Sequence, residues 1–430
     1  MFELIKILFA VISGLLVYKS INTNCNKYLA FAVCAIWLRF VLSAFHEITY
    51  DPLIAGLSIN ALGSISIAGL GLFLLPGKVF LLKKLVPFYL LFAVIALSGI
   101  GNFAPIDTVN VLVKWAYFLV IACALFLSIR AQGMNTSLLK LFVPFIMPIG
   151  LQIMSVLMGE VKATESDGSA SFVGGYNHEA AFSMIVVSFL FIVGLIERGS
   201  LRFQTAIFSV GIILLVLVNY RTAMLAALPI ISIYFYNSID RKLKARHKVP
   251  VLSITVLVGI ALFVIAGIAM QERFADIATV LYNFDDLIKA PEYYTGEEKR
   301  LFSARVYLWS SYLTIFFSSD LATQMIGLGP ESWQDLFRYY AHNTYVSYLF
   351  EYGYLGLLSF VILIFYVFKL TKSIPSKHYN RTTFFTFLGL LVMCLATMPL
   401  WNIEGLIFFA LLFGIILGTQ HKNQHSKRAL

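Results

Sequence analysis

The sequence predicts an all-α polytopic membrane protein with about 12 to 13 transmembrane helices, because its apolar runs have the length that a helix needs to cross a bilayer. Of its 430 residues, 60% are hydrophobic and only 13% are charged, and the mean hydropathy is +0.84. Such a composition argues against a water-soluble globular protein. In lipid the backbone must satisfy its own hydrogen bonds, and runs of this length do so as helices rather than as the shorter alternating strands of a barrel.

The predicted spans follow one another along the whole chain. They lie near residues 3 to 18, 28 to 45, 52 to 75, 86 to 100, 109 to 130, 138 to 158, 180 to 196, 204 to 219, 222 to 237, 250 to 270, 345 to 369, 383 to 400 and 406 to 419. The first run has no convincing small-residue cleavage site, so we do not expect a removed signal peptide. If that run crosses the membrane it places the N-terminus outside, and an interfacial helix is the alternative.

Basic residues are concentrated in alternate connections, which are therefore predicted to lie in the cytoplasm. They are Lys78, Lys83, Lys84, Arg130, Arg198, Arg202, residues 241–248, residues 369–381 and the C-terminal tail. The intervening connections are acidic or neutral and are predicted to face the outside. The net charge of +10 is thus a signal of orientation, and we expect no nucleic-acid partner.

The longest polar connection, residues 271–344, is too long to be a simple link between two spans. Apolar and aromatic residues recur in it at helical spacing, as at Val306, Trp309 and Phe316. We therefore expect a large helical loop on the outer side that covers the active site. The chain otherwise reads as a single integral membrane domain over residues 1–430.

No cofactor is expected from the sequence. The cysteines Cys25, Cys34, Cys123 and Cys394 are scattered and form no CxxC pair, so they predict neither a disulfide framework nor a metal site. HExxH motifs, Walker-type loops and a convincing pair of catalytic carboxylates are also missing from the sequence. The energy of any reaction must then come from the substrate.

Three side chains on the predicted outer side are the candidate catalytic residues. Arg221 lies in a short turn between two spans, where positive charge is disfavoured, and Arg305 lies in an amphipathic aromatic stretch. Arginine suits a diphosphate because its planar fork forms bidentate, charge-assisted hydrogen bonds. His342 lies where a long polar segment opens into an apolar helix, and an imidazole exchanges protons near neutral pH. The alternatives are a snorkelling arginine, a salt bridge within the loop, and a histidine that is merely a satisfied polar residue.

Residues near these three are candidate substrate ligands. Asn343 follows the histidine, and Gly353 and Gly356 permit either close helix packing or a closely approaching ligand. In the turn of residues 174–179, Asn177 is suited either to cap the next helix or to contact the substrate.

Further cations complete the candidate set of substrate ligands. Arg39 and Lys114 lie near the outer ends of their spans, and charges within a membrane are functional hypotheses by default. Arg300 precedes the catalytic candidate Arg305 among acidic residues. Pairing of Arg300 with Glu297 or Glu298 is the alternative to a role in binding.

These motifs together resemble the bacterial O-antigen ligase and polymerase superfamily. His342-Asn343, nine further residues and then Gly353-Tyr-Leu-Gly356 are similar to its ligase pattern of His, Asn/Ser/Gln, nine of any kind, Gly, two of any kind, Gly. Asn219-Tyr-Arg-Thr-Ala-Met-Leu225 resembles its arginine turn, and Ser303-Ala-Arg-Val-Tyr-Leu-Trp309 resembles its arginine-bearing loop helix. Ile326-Gly-Leu-Gly329 resembles its glycine turn, and Gly175-Tyr-Asn-His-Glu-Ala180 resembles the Asn-containing start of a mid-chain span. The resemblance covers roughly residues 170–415.

The resemblance implies an inverting, metal-independent glycosyltransferase with a membrane fold of the GT-C type and an undecaprenyl-diphosphate-linked glycan as donor. Arg221 and Arg305 would grip the diphosphate, and His342 would accept the proton of the acceptor hydroxyl. The implied location is the bacterial inner membrane, with a large periplasmic loop and a periplasmic active site. The implied partners are the lipid bilayer, the glycan donor, and either lipid A-core or a lipid-linked glycan as acceptor. Whether a chain-length copolymerase takes part is left open by the sequence.

The acceptor separates two activities within the superfamily. A ligase transfers the glycan to lipid A-core in lipopolysaccharide O-antigen assembly, whereas a polymerase transfers it to another lipid-linked repeat unit, also in exopolysaccharide or capsule assembly. The histidine pattern favours the ligase, although polymerases share similar motifs. A polysaccharide or lipid transporter, or a flippase, is the alternative of another class, and it typically has two related halves with polar residues at mid-membrane. The sequence has no such symmetry.

Overall fold

The computed structural model of the protein describes residues 1–54, 56–163, 170–242, 246–251, 253, 257, 282, 285–287 and 289–420. Within these residues nine helices are long and apolar enough to cross a membrane, and shorter apolar helices are Ile59–Leu74, Glu179–Leu195 and Gln204–Leu217. Together they confirm the predicted all-α polytopic membrane protein. Each predicted span coincides with such a helix or a pair of helices, except the one at residues 250–270, which lies mostly outside the described residues.

In chain order the α-helices are α1 (Phe2–Asn22), α2 (Lys27–Ala44), α3 (His46–Thr49), α4 (Ile59–Leu74), α5 (Gly77–Phe80), α6 (Val86–Gly101), α7 (Pro105–Gln132), α8 (Met134–Phe142), α9 (Ile146–Met158), α10 (Glu179–Leu195), α11 (Gln204–Leu217), α12 (Arg221–Lys242), α13 (Arg305–Ser318), α14 (Leu321–Ile326), α15 (Trp333–Leu336), α16 (Thr344–Lys372), α17 (Lys377–Ala396) and α18 (Ile403–Gln420). Short 3-10 helices are Lys83–Leu85, Val143–Phe145, Asp285–Leu287, Pro291–Tyr293 and Glu298–Arg300. Strands β1 (Pro52–Ile54) and β2 (Leu57–Ser58) pair antiparallel, as do β3 (Lys162–Ala163) and β4 (Ala170–Ser171).

The chain divides into two compact units. The first comprises Met1–Tyr89, Val109–Ile231 and Ile362–Leu430, and the second comprises Leu90–Thr108 and Ser232–Val361.

Helices α10 and α18 form the centre of the first unit. Helix α18 is 94% buried inside the protein, and α10 is buried from Phe182 to Leu195. Both helices are apolar on every face, which is the pattern of a helix surrounded by other helices. Phe409 of α18 stacks on Phe118 of α7 at 4.9 Å, and Phe413 packs against Phe88 at 4.7 Å.

Helix α1 packs against α2 and α9 in the first unit. At one end Lys6 lies against Gly175, and at the other end Lys140 Nζ donates a hydrogen bond to the Ser20 carbonyl at 2.5 Å. The outward face of α1 carries exposed apolar side chains such as Leu4 and Leu15. With 21 residues α1 is long enough to cross a bilayer, and the choice between a crossing and an interfacial helix stays a prediction.

Local turn chemistry changes several predicted boundaries. The predicted span at residues 52–75 begins instead with the β1–β2 pair, which turns at Gly56 with a φ of +77°. The span at residues 138–158 is interrupted by the 3-10 helix Val143–Phe145, which contains Pro144. Proline removes a backbone donor and clashes with the preceding helical turn, so it breaks the regular α-helix.

In the second unit, α13 packs on the segment that leads into α16, and the helix predicted from the spacing of Val306, Trp309 and Phe316 is confirmed. Tyr312 and Phe316 of α13 are almost fully buried. Tyr312 stacks on Phe337 with ring centroids 3.9 Å apart and lies edge-on to Phe350 at 4.8 Å. Such aromatic contacts add to the free energy of burial and fix the helix in one orientation.

Helix α16 breaks at Gly353, where the backbone is non-helical with φ 66° and ψ −163°. The break releases the carbonyls of Phe350 and Glu351, which accept hydrogen bonds from Leu328 N–H at 2.9 Å and Gly329 N–H at 3.0 Å. The glycine turn after α14 therefore supplies the donors that the broken helix lacks.

Gly353 is required by this close approach of two backbones. A Cβ atom there would lie 2.5 Å from the carbonyl carbon and oxygen of Met325. At Gly356 the nearest groups are Tyr352 and the Tyr348 carbonyl. The space beside both glycines is thus taken by protein, and their predicted contact with substrate stays a prediction.

We predict that Gly353→Ala lowers the melting temperature of the protein. Alanine is strained at a φ of 66°, and its methyl group would collide with a backbone that cannot rotate away, so we expect a loss of about 2 kcal/mol or more. Thermal unfolding in detergent, followed by intrinsic fluorescence, measures the change. Gly296→Ala is the matched control because a Cβ there meets nothing within 4 Å. Equal melting temperatures of the Gly353→Ala and Gly296→Ala proteins would contradict a stabilising role for the close approach of Gly353 to the Met325 backbone.

Candidate functional site

Arg221 is the first residue of α12 in the first unit. The chain turns sharply before it, with Asn219 in the left-handed region at φ 57°. Asn219 Nδ2 donates to the Ala170 carbonyl at 3.3 Å, and Phe172 N–H donates to the Leu217 carbonyl at 2.9 Å. The arginine turn is therefore joined to β4, the strand that leads towards Asn177.

A buried glutamine reinforces that junction. Gln152 of α9 is fully buried, and its Nε2 donates to the carbonyls of Phe172 at 2.9 Å and Leu214 at 2.8 Å. Gly174 follows with a φ of +61°, and a Cβ there would lie 2.8 Å from the backbone nitrogen of Gln152. The loop can approach α9 this closely only because residue 174 is glycine.

Asn177 does not cap the following helix, so that part of the prediction is wrong. The N-cap of α10 is His178, whose Nδ1 accepts a hydrogen bond from Ala180 N–H at 3.4 Å. The helix begins at Glu179, one residue too late for Asn177 to be its N-cap. The Asn177 side chain is exposed, and its carbonyl accepts from Lys162 Nζ. Its role as a substrate ligand stays a prediction.

The charges predicted within spans of the first unit have protein neighbours. Arg39 is 5% exposed and pairs with Glu404, with both Nε and Nη2 lying 2.9 Å from Oε1 of the carboxylate. Lys114 Nζ lies 4.8 Å from the ring centroid of Trp401. The ion pair compensates the buried charge of Arg39, and the cation–π contact stabilises the charge of Lys114. Substrate binding by Arg39 and Lys114 stays a prediction.

Arg305 follows a strained turn in the second unit. Phe302, Ser303 and Ala304 all have positive φ, from 52° to 63°, which is uncommon for residues other than glycine. The turn ends at Arg305, the first residue of α13, and the guanidinium lies 5.3 Å from the Phe302 ring centroid. Such strain persists only where the surroundings enforce it, and it clusters at functional sites.

The Arg305 guanidinium has an unused donor. Among the described residues, its Nε is buried and has no hydrogen-bond partner. A buried donor without a partner costs about 1 to 3 kcal/mol, more for a charged group. An anion seated against this arginine would remove that cost.

Helix α13 is bonded to the segment that carries His342. Trp309 Nε1 donates to the Ala341 carbonyl at 2.7 Å, and the Tyr312 hydroxyl donates to the Tyr339 carbonyl at 2.9 Å. The helix and the segment run in opposite directions, because the earlier helix residue, Trp309, contacts the later segment residue, Ala341.

His342 is itself in the left-handed region, with a φ of 49°, and its ring lies 4.0 Å from the ring of Tyr340. Asn343 then caps α16, because its Oδ1 accepts from Tyr345 N–H at 2.9 Å and Val346 N–H at 3.2 Å. The cap uses Oδ1 and leaves the amide Nδ2 as the group for the predicted substrate contact. The imidazole is thereby placed directly before a helix start.

Arg300 lies in the 3-10 helix Glu298–Arg300. Glu298 pairs with Lys289 Nζ at 2.7 Å, and the ion pairs of the described residues include none between Arg300 and either Glu297 or Glu298. The Lys289 ammonium and the Thr295 N–H bond to the Glu298 carboxylate and lower its pKa to about 2. Contact of Arg300 with substrate stays a prediction.

Glu351, nine residues after His342, is 3% exposed and serves the fold. Its carboxylate accepts from Glu331 N–H at 2.9 Å and from the Ser347 hydroxyl at 2.5 Å. These bonds hold the loop after α14 on the first turns of α16.

The catalytic candidates share one structural feature. Arg221 and Arg305 are the first residues of α12 and α13, and His342 directly precedes the cap of α16. Helix N-termini carry partial positive charge and free N–H groups, so they attract phosphate oxygens. Arg305, His342 and Asn343 belong to the second unit, whereas Arg221, Asn177, Arg39 and Lys114 belong to the first unit.

Two aromatic residues of this region were not recognised from the sequence as supports of the site. Trp309 holds the histidine segment, and Phe302 lies between the Trp309 ring, at 6.0 Å, and the Arg305 guanidinium. Their proximity in sequence to Arg305 was the available signal.

Comparison with known proteins agrees with the motifs. Residues 205–361 match the family model described as O-antigen ligase. The matched range contains Arg221, Arg305 and His342, and it confirms the predicted superfamily. It spans less than half of the 430 residues and does not include Arg39, Lys114 or Asn177. No curated protein matches the chain.

Proposed function

We propose, from the match of residues 205–361 to the O-antigen ligase family model, that the protein transfers a glycan from undecaprenyl diphosphate to an acceptor sugar. The proposed location is the inner membrane of a bacterium, with the reacting groups on the periplasmic side. Ligase- or polymerase-type glycan transfer is the activity that the superfamily suggests, and we propose lipid A-core as the acceptor.

The observation that carries the proposal is the buried Nε of Arg305, which has no hydrogen-bond partner among the described residues, at the start of a helix bonded to the segment of His342. A diphosphate oxygen would complete the hydrogen bonds of that guanidinium. Arg221 is the second guanidinium that the family resemblance assigns to the diphosphate. Each is the first residue of a helix, where the N-terminal N–H groups add to the attraction.

In the proposed reaction, the acceptor hydroxyl oxygen attacks the anomeric carbon of the donor sugar from the side opposite to the diphosphate. The new C–O bond forms as the bond from carbon to the phosphate oxygen breaks, and undecaprenyl diphosphate leaves with the electron pair. The hydroxyl proton passes to the His342 imidazole. Because the displacement is direct, the configuration at the anomeric carbon inverts.

The arginines and the histidine would act on different parts of the barrier. Negative charge grows on the diphosphate as the bond breaks, and positioned guanidinium groups stabilise that charge in the transition state. Removal of the proton makes the acceptor oxygen a better nucleophile, an effect typically of order 10²- to 10⁴-fold in rate.

The test is a transfer assay with the purified protein in nanodiscs. An undecaprenyl-diphosphate-linked glycan is offered with lipid A-core in one reaction and with a second lipid-linked repeat unit in another, and the products are separated on a gel. We expect the glycan to move onto lipid A-core. A ladder formed from lipid-linked units alone would instead identify a repeat-unit polymerase. Movement of the intact lipid-linked glycan across vesicles, without any transfer, would identify a flippase and overturn the proposal.

A further inference from the structure

Residues 328–343 of the second unit form a loop whose two ends are both attached to α16. At its start, Leu328 N–H and Gly329 N–H donate to carbonyls of α16 at 2.9 Å and 3.0 Å. At its end, the side chain of Asn343 caps the same helix. The ends of the loop are therefore fixed, and the orientation of the His342 side chain depends on contacts made inside it.

Two hydrogen bonds from α13 hold the backbone before His342. The carbonyls of Tyr339 and Ala341 accept these bonds, at 2.9 Å and 2.7 Å. Both bonds end on main-chain atoms, one on either side of Tyr340. They fix the backbone, but they leave the rotation of the Tyr340 and His342 side chains to be set by other contacts.

The Tyr340 ring lies against the His342 imidazole. The ring centroids are 4.0 Å apart, and the ring planes are inclined at 39°. At this distance the two rings are in van der Waals contact. The χ2 torsion of histidine has only a broad preference of its own. A ring packed against the imidazole therefore restricts the plane in which the imidazole lies.

Trp333, in the first half of the loop, supports Tyr340. The centroids of the two rings are 5.9 Å apart, and the planes meet at 74°, which is the favourable edge-to-face arrangement. Trp333 is the first residue of α15, and two residues before it Glu331 N–H donates to the Glu351 carboxylate at 2.9 Å. The tryptophan is thus attached through its own backbone to α16.

The three rings of Trp333, Tyr340 and His342 form an aromatic row that leads outwards from the core of the second unit. Trp333 packs against the core cluster, which includes the buried Tyr312 and Phe316. Tyr340 and His342 are only half-buried. The row therefore connects a rigid core to an imidazole that the solvent side can still reach.

A general base must point at the proton that it accepts, and a small misplacement of the base lowers the rate. We propose that Tyr340 is a positioning residue, whose ring, supported by Trp333, holds the His342 imidazole in the orientation that takes the proton of the acceptor hydroxyl. The inference rests on the proposed function, in which His342 is the base. It assigns the effect to the aromatic ring of Tyr340 and no chemistry to its hydroxyl.

The first test compares two variants of Tyr340 in the transfer assay. Tyr340→Leu removes the ring, and we expect it to lower kcat about 10- to 100-fold, with KM for both substrates and the melting temperature little changed. Tyr340→Phe keeps the ring and should transfer glycan nearly as fast as the wild type. Tyr293→Leu is the matched control, because this tyrosine of the same unit is 69% exposed and lies outside the loop.

A double-mutant cycle separates positioning from a merely structural role. If Tyr340 acts through the imidazole, Tyr340→Leu should cause no further loss of kcat in the His342→Asn protein, whose residual rate is measured in single turnovers. The same fractional loss in both backgrounds would overturn the inference, and so would a wild-type kcat for Tyr340→Leu. Either result leaves the proposed function intact, because the wild type still transfers glycan.

A second measurement does not depend on transfer. The protein is labelled with ¹³C at Cε1 of its seven histidines, and the NMR signal of His342 is identified by its loss in His342→Asn. An aromatic ring shifts the signals of atoms packed against it, so Tyr340→Leu should move the His342 signal and Tyr340→Phe should leave it in place. An unmoved signal in Tyr340→Leu would overturn the inference. If the signal moves while the wild type transfers no glycan, the proposed function fails and the orientation of His342 by Tyr340 stands.

Discussion

Replacing His342 with alanine is expected to lower kcat for glycan transfer by about 10²- to 10⁴-fold, which is the usual contribution of a general base. The imidazole is the proposed acceptor of the hydroxyl proton, and alanine offers no substitute. The protein should still accumulate in the membrane, because His342 is only half-buried and the packing of α13 on residues 339–341 does not use its side chain. The measurement is a single-turnover transfer assay with a radiolabelled lipid-linked glycan.

Backbone strain at residue 342 requires a second variant. Its φ of 49° is left-handed, and alanine tolerates that region less well than asparagine. His342→Asn therefore keeps the turn and removes only the base, and we expect it to be as inactive as His342→Ala. The exposed His247 gives the control variant His247→Ala, which should retain full activity. An active His342→Asn enzyme would show that the histidine orients the segment and takes no proton.

Replacing Arg305 with alanine should reduce kcat/KM for transfer by about 10²- to 10³-fold, as the loss of one positioned donor to a developing anion does elsewhere. Arg305→Lys should also be impaired, because a lysine cannot offer two parallel N–H groups to one diphosphate. The order of activity expected is wild type, lysine, alanine. Initial rates at several donor concentrations measure it, and circular dichroism checks that each variant is folded.

Arg338 provides the matched control for Arg305. It lies 5.3 Å from the ring of Tyr339, the same distance as Arg305 lies from Phe302, but it is exposed and lies in a loop. Arg338→Ala should leave transfer unchanged. Equal effects of Arg338→Ala and Arg305→Ala would mean that stacking of an arginine on an aromatic ring, and not a grip on the diphosphate, explains the loss.

Much of the candidate site was predictable because its signals are local in sequence. The pattern of His342, Asn343 and Gly353, and the arginines in their turns, lie within short stretches that a family pattern can describe. The capping of α16 by Asn343 and the correction from Asn177 to His178 at α10 depend on where each helix begins. The first residue of a helix is set by packing as well as by the capping residue. The sequence therefore predicted the turn before α10 but not that His178 is its N-cap.

The sequence by itself determined that this chain is a bundle of apolar helices, because spans follow from the free energy of placing each run of residues in lipid, a local property. It also determined the helix after Arg305, because the spacing of its aromatic residues has a helical period. Only the tertiary structure decided that Arg39 meets Glu404, 365 residues away, and that Gly353 interlocks with the turn after α14. Such contacts join residues that are remote along the chain, and they form only when the helices pack in one arrangement.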